Sequence, residues 1–226
     1  TNEYIIQDNG LFEKYKGKKI LMIGAGPSCL DVDWNKMNLD YDYIWTCNNF
    51  YKNEKLTNLP VDLVSLGPTV NLNDAKLLEK IKDNQTTCAF EGGISPFRTG
   101  EELEAFRGMN PDQVAYFHLR YFSKLGTIVR MICLATLLEA KKIYIVGSDG
   151  YPVGKRHAFE GDDKEHSESH HSKESYDMHK RHYVLLWDYL LNLKDCKTEF
   201  QNLGEGHDCN QMTDISRKEF PLLTTD

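Results

Sequence analysis

Short apolar runs alternate along the chain with longer stretches whose apolar residues recur every three to four positions. Ile20–Ile23, bounded by lysines and glycine, reads as a short buried strand. Leu30–Met37 reads as a short helix. Tyr43–Thr46 reads as a second strand that ends at Cys47-Asn48-Asn49, and Val61–Leu66 as a third, stopped by Gly67-Pro68. Residues 73–82 place apolar side chains at 75, 77, 78 and 81, the spacing of an amphipathic helix. Thr87–Phe90 reads as a fourth strand. From Gly126 to Ala140 the apolar residues cover nearly the whole circumference, which predicts a buried helix with Thr127 as its cap. Lys142–Gly147 is the next strand and runs into Ser148-Asp149-Gly150-Tyr151. Tyr183, Leu186, Trp187, Leu190 and Leu191 mark a helix facing a core, and Glu199–Leu203 a last edge strand.

Strands alternating with helices predict an α/β fold: a single Rossmann-like domain over 1–226, a mostly parallel sheet and helices on both faces. Ligands in such sheets bind beyond the carboxyl ends of the strands. Three polar loops leave those ends, at 24–28, 47–51 and 147–151, and are expected to converge.

Composition narrows the class. The chain has 226 residues, 40% hydrophobic and 11% aromatic, enough for a real core. No run approaches the roughly 20 apolar residues that span a bilayer, and residues 1–16 do not read as a secretion signal. A cytoplasmic protein is expected. The net charge of −7 argues against a broad nucleic-acid surface but leaves room for a local basic pocket. Peripheral membrane contact gains no support, because no basic amphipathic helix is seen. The six cysteines form no C-x-x-C pair and read as buried free thiols.

Residues 155–182 are polar and hold six of the eight histidines. The stretch reads as a solvated loop, His166, His179 and His182 above all, or else the overlapping segment of about 152–175 reads as a lid that orders on ligand binding. Zinc held by His166, His170 and His171 with Asp162 or Asp163 is a further reading, although the spacing matches no standard zinc pattern.

The turn Gly24-Ala25-Gly26-Pro27-Ser28 fails as a dinucleotide fingerprint. Its third glycine position is Cys29, and Asn48 stands where a ribose-binding acid belongs. No Gly-Lys-Ser/Thr follows, so it is not a P-loop either. The turn can still bind an anion through backbone N–H groups and the Ser28 hydroxyl, or it is a tight turn without a ligand. Asp149 either binds ribose or caps its own turn. Arg130, alone among apolar neighbours, is expected to snorkel to solvent. The turn at 91–93 and the run 96–108 are within reach of an acceptor.

The motifs GAGPS (24–28), CNNFY (47–51), KKIYIVGSDGY (141–151), AF (158–159) and HSK (171–173) occur in an order and spacing that resemble the bacterial CMP-sialic acid-dependent sialyltransferases of glycosyltransferase family 42. The likeness extends over about residues 18–175. It implies a nucleotide-binding α/β domain with a small lid, no metal and no cofactor beyond the CMP-sugar donor. It also implies inverting transfer of a sialic-acid-like sugar to a glycan hydroxyl. Gly24, Ala25, Gly26, Pro27 and Ser28 would then line the nucleotide pocket, with Gly147 and Asp149 from the later turn. Asn48 would meet donor phosphate or ribose, Thr127 would hydrogen-bond the nucleotide, Tyr151 would bind the phosphate and His171 would be the general base. His170 precedes it, so either histidine fits that role.

Three positions depart from the family pattern: Ala25 and Gly67 stand where asparagine is usual, and His157 stands where a second phosphate-binding tyrosine is expected. An imidazole suits a base near neutrality, and Tyr151 with His157, Lys155 or Arg156 suits a departing phosphate, a protonated His157 better than the tyrosine it replaces. Two other readings are a nucleotide-dependent diphosphokinase or phosphotransferase on the same scaffold, and a catalytically silent nucleotide-sugar-binding protein.

Overall fold

The computed structural model describes residues 4–56, 58–92, 100–121, 126–150, 152–153, 157–159 and 172–204. Eight strands form one sheet: β1 (Tyr4–Gln7), β2 (Lys19–Ile23), β3 (Tyr43–Cys47), β4 (Leu63–Ser65), β5 (Thr87–Glu91), β6 (Val114–Leu119), β7 (Lys142–Val146) and β8 (Glu199–Asn202). Their spatial order is β1-β6-β5-β4-β3-β2-β7-β8. Every neighbouring pair is parallel except β1, which runs antiparallel to β6. The mixed α/β architecture and mostly parallel sheet are therefore those expected.

Ile20–Ile23 and Ile143–Val146 are buried at every position, so side chains pointing to either face are covered. Four α-helices lie among the described residues: α1 (Ala75–Asn84), α2 (Gly100–Met109), α3 (Thr127–Leu137) and α4 (Lys173–Leu191). Helix α3 is buried all round from Ile128 to Thr136 and packs on β2, β3 and β6. Helix α4 starts at Ser172, whose hydroxyl accepts from the Ser175 N–H at 3.1 Å. It buries Tyr183, Leu186, Trp187, Leu190 and Leu191, and the Trp187 ring meets Phe200 of β8 edge-on at 5.4 Å.

Several expectations are corrected. Leu30–Met37 is not a helix: a 3₁₀ turn, Pro27–Leu30, is followed by irregular chain. The side chain of Asp33 accepts from the Asn35 N–H at 3.2 Å, a local bond that competes with helix formation. Thr127 is not the cap of α3. That place belongs to Gly126, at φ 79°, and Thr127 is the first helical residue. Strands β1 and β6 and helix α2 had no counterpart in the sequence reading. Cys29, Cys47, Cys88 and Cys133 are free and buried, as expected, and Cys196 is half-buried. No helix among the described residues is long and apolar enough to cross a membrane.

Candidate functional site

The chain runs from β2 outward on one side of the sheet, through β3 to β6, and then crosses back to lay β7 on the other side of β2. The carboxyl ends of β2 and β7 thus flank a topological switch point, where crevices open in this architecture. The two strand ends nearly touch. The Gly24 N–H donates to the Val146 carbonyl at 2.8 Å and the Gly26 N–H to the Gly147 carbonyl at 2.7 Å. A Cβ on Gly24 would collide with the Gly147 carbonyl, and one on Gly147, whose φ is 72°, with the Gly24 carbonyl. These glycines are required by backbone approach.

Ser28 and Asp149 stitch the same crossing. The Asp149 carboxylate accepts from the Ser28 N–H and the Ser28 hydroxyl, both at 2.7 Å, and the Ser28 oxygen accepts from the Gly147 N–H at 3.0 Å. Both residues are buried. The Asp149 carboxylate thus bonds the glycine turn rather than its own turn.

Beyond this crossing lies a pocket of about 130 Å³. Its floor is Ala25, Gly26 and Pro27 on one side and Gly147 to Gly150 on the other. Cys47 and Asn48 enter from β3, and Gly126, Thr127 and Ile128 bring the N-terminus of α3, the positive end of its dipole. Asn48 sits at φ 50° and accepts from the Gly67 N–H at 2.9 Å, while its amide donates to Thr127 Oγ1 at 3.3 Å. Burial pushes the Cys47 thiol up to about 12, so it stays protonated at neutral pH and is no nucleophile.

His157 lines the pocket as well. The next residue holds it there: the Ala158 N–H donates to the Ala25 carbonyl at 2.7 Å, and the Ala158 carbonyl accepts from Asn53 Nδ2 at 2.6 Å. Helix α4 supplies His179 and Tyr183, both buried. The Tyr183 hydroxyl and the Ser148 hydroxyl are 2.7 Å apart and share a hydrogen bond, which ties α4 to the turn after β7.

No protein-family model matches this chain, nor does any curated protein. Solved structures do. The monofunctional α-2,3-sialyltransferase Cst-I from Campylobacter jejuni is similar at 19% identity and TM-score 0.58, over 92% of this chain and 89% of that one. CstII of the same organism, in complex with the substrate analogue CMP-3FNeuAc, is similar at 19% identity and TM-score 0.56, over 86% and 88%. CstII with a trisaccharide acceptor and CMP gives 18% identity and TM-score 0.54, over 88% of each chain. The chain has the sialyltransferase fold.

Within this sialyltransferase fold, the pocket brings together Ala25, Gly26, Pro27, Asn48, Thr127, Gly147, Asp149 and His157 from the sequence reading. Gly24 and Ser28 are not among its lining residues; they belong to the crossing behind it. Tyr151 and His171 lie outside the described residues, as do His166, His170, Asp162 and Asp163 of the zinc reading.

Two side chains depart from expectation. Arg130 does not reach solvent: its Nη1 lies 2.9 Å from Glu91 Oε1 and donates to the Tyr121 carbonyl at 2.5 Å. Glu91 therefore faces α3 from the end of β5, and burial pushes its carboxyl up to about 7 in spite of Arg130. His179, taken from the sequence as part of a solvated run, is buried against the pocket. Extending the spacing of Tyr183, Leu186 and Leu190 back by four residues reaches it, and that was the available signal.

Proposed function

We propose that this protein is a glycosyltransferase that moves a sialic-acid-like sugar from a CMP donor to a glycan hydroxyl, with inversion and without a metal. The observation that carries the reading is the pocket at the β2–β7 crossing, lined by Ala25–Pro27, Asn48, Thr127 and His157 in a fold shared with structures solved in complex with CMP, CMP-3FNeuAc and a trisaccharide. The N-terminus of α3, which opens on the pocket, favours an anion there.

In this reading Asn48 and Thr127 hold the nucleotide. His171, or its neighbour His170, takes the proton of the acceptor hydroxyl as that oxygen attacks the anomeric carbon. The bond from that carbon to the phosphate oxygen breaks, and its electron pair leaves with CMP. His157 and Tyr151 stabilise the departing charge. The sequence places His171 directly before Ser172, the residue that caps α4. The whole chain acts as one nucleotide-sugar-binding unit in the cytoplasm.

The test is a thermal-shift panel of CMP, CDP, UDP, GDP, ATP and NAD, with and without magnesium, followed by mass spectrometry of CMP-sugar donors mixed with glycan acceptors. Ligand binding to the native state raises the melting temperature by mass action. A shift with CMP that survives chelator, and a glycan product one sugar heavier, is the expected result. A shift with ATP and magnesium alone would overturn the reading in favour of phosphoryl transfer. CMP binding with no turnover of any donor would leave a silent binding protein.

A further inference from the structure

An anionic donor needs positive charge in its site, yet the described lining of this pocket includes no lysine and no arginine. The N-terminus of α3 offers only a partial charge. Among the described lining residues, the side chains that can take up a full positive charge are two imidazoles, His157 and His179. We propose that His179, which lies outside the motifs of the sequence reading, is a donor-binding residue whose imidazole shares the donor's anionic group with His157. The proposal rests on the CMP-donor reading above.

The geometry of α4 prepares this ring. His179 is 3% exposed, and its Nδ1 lies 2.6 Å from the Ser175 carbonyl one helical turn earlier. A carbonyl only accepts, so Nδ1 carries a proton, and Nε2 is the position at which the ring gains or loses one. One turn onward, the hydroxyl pair Tyr183–Ser148 fixes α4 to the turn after β7, so the ring is placed against the pocket by bonds on both sides. The titratable groups around it are Asp149 after β7, Cys47 at the end of β3, His157 from the 157–159 segment and Tyr183 on its own helix. Of these, Asp149 is bonded to Ser28 and Cys47 is held protonated. Donor binding therefore takes up a proton, and affinity falls as the imidazoles lose theirs.

Calorimetric titration of the full chain with CMP, at about pH 6 and about pH 8 and in buffers of different ionisation enthalpy, tests this. Wild type is expected to bind more tightly at the lower pH, with net proton uptake. His179→Asn retains an amide donor for the Ser175 carbonyl but has no group at Nε2. It is expected to keep the wild-type melting temperature, to lose about tenfold in CMP affinity at the lower pH and to take up fewer protons. His179→Gln, which puts an uncharged polar group near the Nε2 position, serves if the asparagine variant does not fold. It is expected to show the same smaller proton uptake. A variant that binds CMP with the wild-type affinity and proton uptake overturns the role of His179 alone. A wild-type chain that ignores CMP at both pH values overturns the donor reading and this proposal together.

Discussion

Asp149 and Glu91 are both carboxylates buried at the carboxyl ends of parallel strands in one sheet, and they are held by different means. Asp149, beyond β7, accepts two hydrogen bonds from Ser28, one from a backbone N–H and one from a hydroxyl. Those donors are fixed by the glycine turn. Glu91, at the end of β5, is held in its charged form chiefly by one guanidinium on α3, with a lesser contribution from the Leu119 backbone. A carboxylate bonded by neutral, preorganised donors works as a structural staple. One that depends on a partner ion carries a desolvation cost that the partner only partly offsets, and it becomes sensitive to protons. The two devices sit behind different parts of the pocket lining: Ser28 and Asp149 lock the crossing of β2 and β7, while Glu91 holds Arg130, about one turn along α3 from Thr127.

If this contrast is right, the ion pair is the more fragile of the two. Arg130→Met should cost about 3–5 kcal/mol near pH 8, as expected when one partner of a buried pair is removed, and less at low pH, where Glu91 is neutral. Urea unfolding at two pH values measures it, and a loss that does not depend on pH would break the comparison. Glu91 itself sets a second test. Its folded carboxyl is raised from the ordinary 4.5 to about 7. The stability this group contributes is therefore full below pH 4.5 and is lost as the pH rises through about 7. Relative to Glu91→Gln, wild type should lose roughly 2–3 kcal/mol between those limits.

At the β2–β7 crossing, Ser28→Ala should cost about 2 kcal/mol and show little dependence on pH above the carboxylate range, because it strips one acceptor from the Gly147 N–H and one donor from Asp149. A smaller effect sharpens the picture at the roof. Tyr183→Phe breaks the hydroxyl pair with Ser148 and should cost about 1 kcal/mol in denaturant unfolding, with a larger proportional loss in CMP binding if α4 positions His179.

What could be read in the sequence follows from how local each cause is. The glycine turn was legible because Gly24 and Gly147 answer to backbone contact, which leaves its mark on residue type. The convergence of the loops after β2, β3 and β7 followed from alternating periodicity and the strand-end rule. Arg130 was misread because its partner lies 39 positions earlier, and nothing local distinguishes a snorkelling arginine from a paired one. His179 was hidden in a run whose composition looks solvated, although its place four residues before Tyr183 continued the buried stripe. Leu30–Met37 is irregular where a helix is expected because the Asp33 side chain bonds the backbone locally, a competition that residue types alone do not display. Strand β6 alternates only at its end, with His118 exposed between buried Phe117 and Leu119, and its neighbour β1 has four residues.

Asn48 and Gly67 share one small volume. A Cβ on residue 67 would stand 2.9 Å from Asn48 Oδ1, the oxygen that now accepts from the Gly67 N–H. A side chain at position 67 therefore cannot simply be added while Asn48 keeps its present rotamer. In evolutionary terms the two sites form a single epistatic unit. A side chain at 67 would require the Asn48 amide to turn away, and the bond it accepts from the residue 67 N–H would go with it. Single exchanges at either position should be unfit where the paired exchange survives.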